Sequence, residues 1–215
     1  MLAALGAATL APDTALADPA RVPFAKAFKY LDMYYALPAQ LKSKWYLMFV
    51  VKRGDRPAPE VRPTLVLADG ARTPLQIDAA GEVLNAPSSA TLRGSGYVEI
   101  DPSARLISEI RPTIAPATRL DALALEQALA QVSAAVAHIA GAFGALAPRL
   151  DVALFPDAGS GQAITGDGRA WTLPMASVRA LGAVPYFQPT GHDGVRTLEL
   201  ARAPSRILLA VKPRS

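Results

Sequence analysis

The second half of this chain repeats the punctuation of the first, and that repeat limits the architecture more than any other feature. Residues Leu65 to Pro87 overlay Val152 to Pro174 without a gap, which sets Leu67 on Leu154, Ile77 on Ile164, Gly81 on Gly168 and Pro87 on Pro174. Farther on, Val98-Glu99-Ile100 corresponds to Leu198-Glu199-Leu200, and Pro102 to Ile107 corresponds to Pro204 to Leu208 with one deletion. Both copies close alike, with Ile110-Arg111-Pro112 against Val211-Lys212-Pro213. Glycine and proline recur where the backbone must turn, with aliphatic residues between them. Any Ala-rich β chain punctuated by Gly and Pro yields some matches of this kind; the shared order of elements tips the reading toward a repeat. Pro185 to Gly194 then reads as a decoration of the second copy alone.

Within each copy the pattern is short strands and turns. Leu65-Val66-Leu67 leads to Asp69-Gly70, Leu75-Gln76-Ile77 to a turn ending at Gly81, and Glu82 to Leu84 runs toward Pro87. Tyr97 to Ile100 meets Arg105 to Ile110 across Asp101-Pro102-Ser103-Ala104, where Asp then Pro suits a type I turn. Trp45 to Val51, aromatic and β-branched, reads as a strand buried on both faces. The Pro-rich stretch from Arg56 to Pro63 is a loop or an edge.

Two segments carry a helical period instead. Phe24, Phe28, Leu31 and Tyr35 form one stripe, with Pro23 suiting the first turn and Pro38 stopping the helix. Leu125, Leu129, Val132, Val136, Ile139 and Phe143 form the stronger stripe, with Asp121 as N-cap. From Ala128 to Ala147 there is no formal charge, a length that could span a bilayer. Alanine partitions poorly into lipid, and Gln131, Ser133 and His138 interrupt the run, so a core helix packed on more than one side is expected.

The first residues point to export. Leu2 to Leu10 is a short Ala/Leu stretch, and Ala15-Leu16-Ala17 offers a signal-peptidase pattern with Asp18 starting the mature chain, although no Lys or Arg precedes it. The expected organisation is a signal peptide at 1–17, an N-terminal helix and first β-rich half at 18–118, a central helix at 119–147, and a second β-rich half at 148–215. The fold class is α+β, mainly antiparallel β, with the two halves around one long central helix. No membrane span is expected in the mature chain, and the location is periplasmic or secreted.

Several turns carry a family likeness. Asp69-Gly70, Asp78-Ala-Ala-Gly81 and Gly96-Tyr97-Val98 resemble the turn pattern of carboxypeptidase-regulatory-like modules, a transthyretin-type β-sandwich. Thr165-Gly-Asp-Gly-Arg-Ala-Trp-Thr-Leu-Pro174 is similar to that family's T-D-x-G-x-F-x-L-P hairpin, with Gly166 where the family has Asp. The resemblance spans about a quarter of the chain and accounts for neither helix. It implies a binding or structural role rather than catalysis.

Composition removes much chemistry. With no cysteine and two histidines, thiolate metal sites, iron–sulfur clusters, cysteine nucleophiles and histidine-rich metal centres are excluded, and no metal or cofactor is expected. No phosphate-binding G-x-x-x-x-G-K-[ST], H-E-x-x-H or EF-hand loop is present. Net charge is +4 with a pI near 9.5, a weak bias toward acidic partners.

The basic excess concentrates between residues 24 and 56. Lys26, Lys29, Lys42, Lys44, Lys52, Arg53 and Arg56 face only Asp32 and Asp55 there, interleaved with Tyr30, Tyr34, Tyr35, Trp45 and Tyr46. Lys26, Lys29, Tyr30, Tyr34, Lys42 and Lys44 are the candidate ligand-binding residues, because cations attract acidic polymers while aromatic faces stack. An amphipathic helix with a solvated basic face and a buried aromatic face accounts for the same residues more simply. Catalytic candidates are weaker. His192 and Asp193, adjacent in a glycine turn, could form a base and its orienting carboxylate, but no nucleophile stands in a recognised frame: Ser95 and Ser160 lack G-x-S-x-G. Glu99 and Glu199 recur at equivalent places and could act as paired carboxylates.

The expected function is an exported, non-enzymatic binding or structural module of the cell envelope. Its partner would be an envelope protein, an anionic lipid surface or a glycan rather than nucleic acid. The alternative is a hydrolase acting on an envelope polymer or ester.

Overall fold

The structure is a computed structural model that describes residues 18–141, 149–190 and 194–212; the proposed signal peptide at 1–17 lies outside them. The first half contains β1 (Ala20–Pro23), α1 (Phe24–Ala27), α2 (Leu31–Ala36), β2 (Trp45–Arg53), β3 (Arg56–Pro57), β4 (Thr64–Leu67), β5 (Arg72–Pro74), α3 (Ser89–Arg93), β6 (Gly96–Ile100) and β7 (Ala104–Pro112). The second contains β8 (Arg119–Asp121), α4 (Ala122–Ala140), β9 (Val152–Leu154), β10 (Gly161–Thr165), β11 (Ala170–Thr172), β12 (Met175–Val178), β13 (Gly182–Phe187), β14 (Val195–Leu200) and β15 (Leu208–Ala210). The strands form antiparallel sheets around one long helix, an α+β architecture.

The repeat is visible in the strand pairing. One sheet runs β1-β6-β4-β5 and another β8-β14-β10-β11, the same order in each half. The registers agree as well. Val98 of β6 lies between Val22 and Leu65, and Leu198 of β14 lies between Leu120 and Ala163. In both halves the first strand runs straight into a helix, at Pro23 before α1 and at Asp121 before α4. β2 then pairs with β7 as β9 pairs with β15.

The gapless overlay of Leu65–Pro87 on Val152–Pro174 is slipped by one hairpin. Gly70, not Gly81, is the counterpart of Gly168. Leu67 N–H donates to Ala71 O and Gly70 N–H to Leu67 O; Thr165 N–H donates to Arg169 O and Gly168 N–H to Thr165 O. The two glycines have φ of 83° and 84°. The turn at Gly81 carries the same bonds, from Asp78 N–H to Glu82 O and from Gly81 N–H to Asp78 O, at φ 80°. Three turns of one local chemistry, each needing left-handed glycine, cannot be told apart by spacing. Pro185 to Phe187 is likewise no decoration. It belongs to β13, whose Pro185 O accepts from Phe155 N–H as Gly81 O accepts from Val51 N–H.

Two further expectations are corrected. Asp101 to Ala104 does turn, with Ala104 N–H donating to Asp101 O at 2.9 Å. It is a corner between sheets and not a hairpin: β6 pairs with β1 and β4, while β7 pairs with β2. The N-terminal aromatic stripe is not one helix either. It breaks at Tyr30, which sits at φ 72° between α1 and α2. The break lets Phe24, Phe28 and Leu31 all enter the first half's core with Phe49, Leu65 and Val98.

Helix α4 starts where its cap predicts, with Asp121 accepting from the N–H of Leu123 and Ala124. It buries Leu125, Ala128, Leu129, Val132 and Ala135 on one face. Its alanine-rich back, including Ala130, Ala134 and Ala137, is exposed, so it packs on one side only. It is long and apolar enough, by length and composition alone, to cross a membrane. Phe143 and the rest of the stripe expected to 147 lie outside the described residues, and residues 119–121 are strand.

The halves share a core. Leu37 and Trp45 of the first half pack with Leu125, Val132, Phe155 and Leu209 of the second. Gln131 on α4 fastens the loop before β2: its Nε2 donates to Gln40 O at 2.7 Å and its Oε1 accepts from Lys44 N–H at 2.7 Å.

At Gly96 in β6 an added Cβ would sit 2.3 Å from Phe24 Cε2 and 2.7 Å from Val66 O. A backbone carbonyl and a core ring cannot both yield without moving the strand. Gly96→Ala is therefore expected to cost about 1–3 kcal/mol, read as a lowered urea midpoint with unchanged slope. The same substitution at open Gly168 tests the left-handed backbone alone.

Candidate functional site

The residues that converge are those where the two helices face each other. Tyr30, then Met33 and Tyr34 of α2, and Leu37 just beyond it, form one wall of a cavity of about 760 Å³; Val132, Ala135, Val136 and Ile139 of α4 form the other. Strand residues Trp45, Leu47, Ile110, Leu154 and Leu208 complete it. Its volume falls within the roughly 300–1,000 Å³ typical of small-molecule sites. Each half supplies one side, so the cavity exists only because the repeats are docked.

Aromatic packing shapes the first wall. The Tyr34 ring meets Trp45 edge-on at 5.2 Å, and the Trp45 indole N–H donates to Leu41 O at 2.8 Å. Burial, then the neighbouring Tyr35, raises the Tyr34 hydroxyl above the ordinary tyrosine range. Tyr30, Met33 and Ile139 are 51%, 50% and 43% exposed, which marks the mouth. Tyr30 holds its left-handed backbone there, a conformation costing about 1–3 kcal/mol in a non-glycine residue, and such residues gather at ligand sites.

The candidate ligand-binding residues divide into two groups. Tyr30 and Tyr34 line the cavity, and two lysines sit against them: Lys29 Nζ lies 4.7 Å from the Tyr30 ring centroid, and Lys42 Nζ lies 5.2 Å from that of Tyr34. Lys42 is also fixed by the carbonyls of Tyr34 and Tyr35, at 3.1 and 2.9 Å. Lys26 and Lys44 are exposed and stand apart from the cavity lining. Among the described residues these four lysines form no ion pair. Lys52 and Arg53, part of the same basic run, do.

Lys52 belongs to a buried cluster that the sequence reading missed. Its Nζ lies 3.1 Å from Glu109 Oε1, while Arg111 Nη2 and Arg206 Nε lie 2.7 and 3.2 Å from Glu109 Oε2. Arg206 is an ion pair without hydrogen-bond alignment, since its Nε is buried and finds no aligned acceptor. Arg111 also binds Glu82. Arg206 comes from the second half and the other four from the first, and β15 runs beside β7 at this junction. The only local signal was that Glu109 and Arg111 alternate in one strand and so share a face; Lys52, Glu82 and Arg206 are remote in sequence.

The catalytic candidates do not meet. Glu99 and Glu199 occupy the same register in different sheets, each held by its own arginine. Arg21 Nε lies 3.5 Å from Glu99 Oε1, and Arg119 Nη1 lies 3.8 Å from Glu199 Oε1. Arg72 binds Glu99 as well, and chiefly through that bond keeps its carboxyl below the usual range. These are structural pairs of the repeat. His192 and Asp193 lie outside the described residues. His138 is exposed on α4. Among the described residues no three His, Asp or Glu side chains cluster as a metal site would require.

No protein-family model matches this chain, and neither the curated proteins nor the solved structures contain a match to it.

Burial raises the Glu109 carboxyl, but Arg206 foremost, with Arg111 and Lys52, outweighs it and holds the group below the ordinary carboxylate range. A carboxyl so depressed adds stability that is present above its unfolded value, about 4.3, and is lost as pH falls through the folded value. The difference in unfolding free energy between wild type and Glu109→Gln should therefore shrink as pH drops below about 5. At neutral pH the substitution leaves buried Lys52 and Arg111 and half-buried Arg206 short of their shared anion, and a loss of about 3–5 kcal/mol is expected. A pH-independent difference in urea titrations would show that Glu109 is not charged in the fold.

Proposed function

We propose that this chain is an exported, non-enzymatic binding protein of the cell envelope that holds an apolar ligand between its two halves. The observation that carries the reading is the cavity of about 760 Å³ whose walls are almost wholly aliphatic and aromatic. A site of that chemistry gains about 0.8 kcal/mol for each methylene moved into it from water. Among the described lining residues the polar groups are few: Glu109 is engaged by three cations, which leaves Ser108 and the tyrosine hydroxyls. The leader-like residues before Asp18 support export, and an envelope setting supplies apolar ligands in abundance. The hydrolase reading finds less support, because Glu99 and Glu199 neutralise arginines in separate sheets.

The test is titration with the neutral dye N-phenyl-1-naphthylamine, whose emission rises in apolar surroundings. Saturable binding with one site per chain is expected. Val136→Trp, which extends a lining side chain of α4 into the space, should weaken binding at least tenfold while circular dichroism stays unchanged. Unsaturable dye uptake, or a Val136→Trp protein that binds as well as wild type, would overturn the reading.

A further inference from the structure

We propose that the ligand is a single-chain anionic amphiphile, its chain along the cavity wall and its acidic head at the Lys29–Tyr30 and Lys42–Tyr34 pairs. The inference rests on the reading of the cavity as a ligand site and adds the charge and position of the head.

The interior offers an acidic head no free cation: among the described lining residues the one charged group is Glu109, an acid already shared by Lys52, Arg111 and Arg206, beside Ser108 and the tyrosine hydroxyls. A head must therefore stay at the mouth, where the half-exposed Tyr30, Met33 and Ile139 stand. The charge there is positive. Lys29 lies over the ring of Tyr30 at the opening and Lys42 over the ring of Tyr34 in the adjoining wall; neither lysine is itself a lining residue, and neither meets a carboxylate among the described residues. Asp32, the one acid on α2, is turned toward α3, where it accepts from Ser89 Oγ at 3.3 Å. The last turn of α4, which forms the opposite rim, carries no acid. Lys42 is held in place by two backbone carbonyls, so its ammonium is fixed before any ligand arrives. Lys29 makes no hydrogen bond among the described residues and keeps its donors for an anion, and Lys42 keeps the one that its two carbonyls leave; the ring beneath each offers apolar surface to the first methylenes of a chain. The left-handed backbone at Tyr30 turns that ring toward the opening at the point where α1 gives way to α2.

Because Lys29 is exposed and Lys42 half-buried, the head contributes selectivity and the chain contributes most of the affinity. The test uses the emission of Trp45, a wall residue, in a Trp171→Phe background. The full chain is titrated at low ionic strength with laurate, dodecan-1-ol and dodecylammonium, each below its aggregation concentration. Laurate should bind most tightly and dodecylammonium least, with the laurate preference shrinking as salt is added. Lys29→Gln should weaken laurate by about two- to fivefold and leave dodecan-1-ol unchanged. Lys29→Glu should bring dodecylammonium level with laurate or above it. Equal affinity for all three, untouched by Lys29→Glu, would overturn the head assignment and leave the apolar cavity standing. Binding of none would overturn the cavity reading with it. Retention on phosphatidylglycerol vesicles without laurate binding would replace the monomeric ligand by a membrane surface.

Discussion

In each half, one central strand holds the opening strand on one side and a hairpin on the other, and the rest of the molecule hangs from that arrangement. β6 does this for β1 and β4, and β14 for β8 and β10. The backbone hydrogen bonds of the central strand are thereby satisfied on both edges, and Val98 and Leu198 are fully buried beneath the helices. Because the opening strand is pinned at its end, the helix that follows must leave in one direction. That launch aims α1 and α4 over their own sheets. Arginine–glutamate pairs at matching register, Arg21 with Glu99 and Arg119 with Glu199, mark the same join twice.

The halves then differ where they meet. The first half's helix is cut short at Tyr30 and Pro38, whereas α4 continues for 19 residues. The unequal lengths leave α2 and α4 as facing walls rather than as a filled interface, and the cavity is the space between them. Behind it the junction is held by an ionic contact. Glu109 on β7 draws Lys52 and Arg111 from its own half and Arg206 from the other. A carboxylate buried among three cations adds geometric specificity more than net stability, since desolvation offsets much of the attraction. It ties the second half's Arg206 to β7 where β15 runs beside that strand.

Much of this was legible in the residues, and the failures have physical causes. The capped helix at Asp121, the strand at Trp45 and the glycine turns follow from local chemistry that a short window contains. The repeat was also visible, at Glu99 and Glu199 and at the closing strands. Its register slipped because Gly70, Gly81 and Gly168 make the same turn. The corner at Asp101 misled for a related reason: a type I turn dictates a local reversal and says nothing about which strands pair beyond it. Of the candidate site, the tyrosines and lysines near α2 were singled out by composition. The cavity they border was not, because its opposite wall begins about a hundred residues later.

What the sequence by itself determined is the set of local commitments: where glycine must take a left-handed backbone, where Asp121 satisfies the free amides of a helix, and which faces are apolar. These depend on neighbours a few residues away. Partnership was decided only by the tertiary structure. It chose β1 rather than β7 as the mate of β6, gave Glu109 an arginine from the other half, and set α2 and α4 on opposite sides of a cavity. Strand pairing and charge burial are settled by the competition of all surfaces for the same interior, and no short stretch of chain contains that competition.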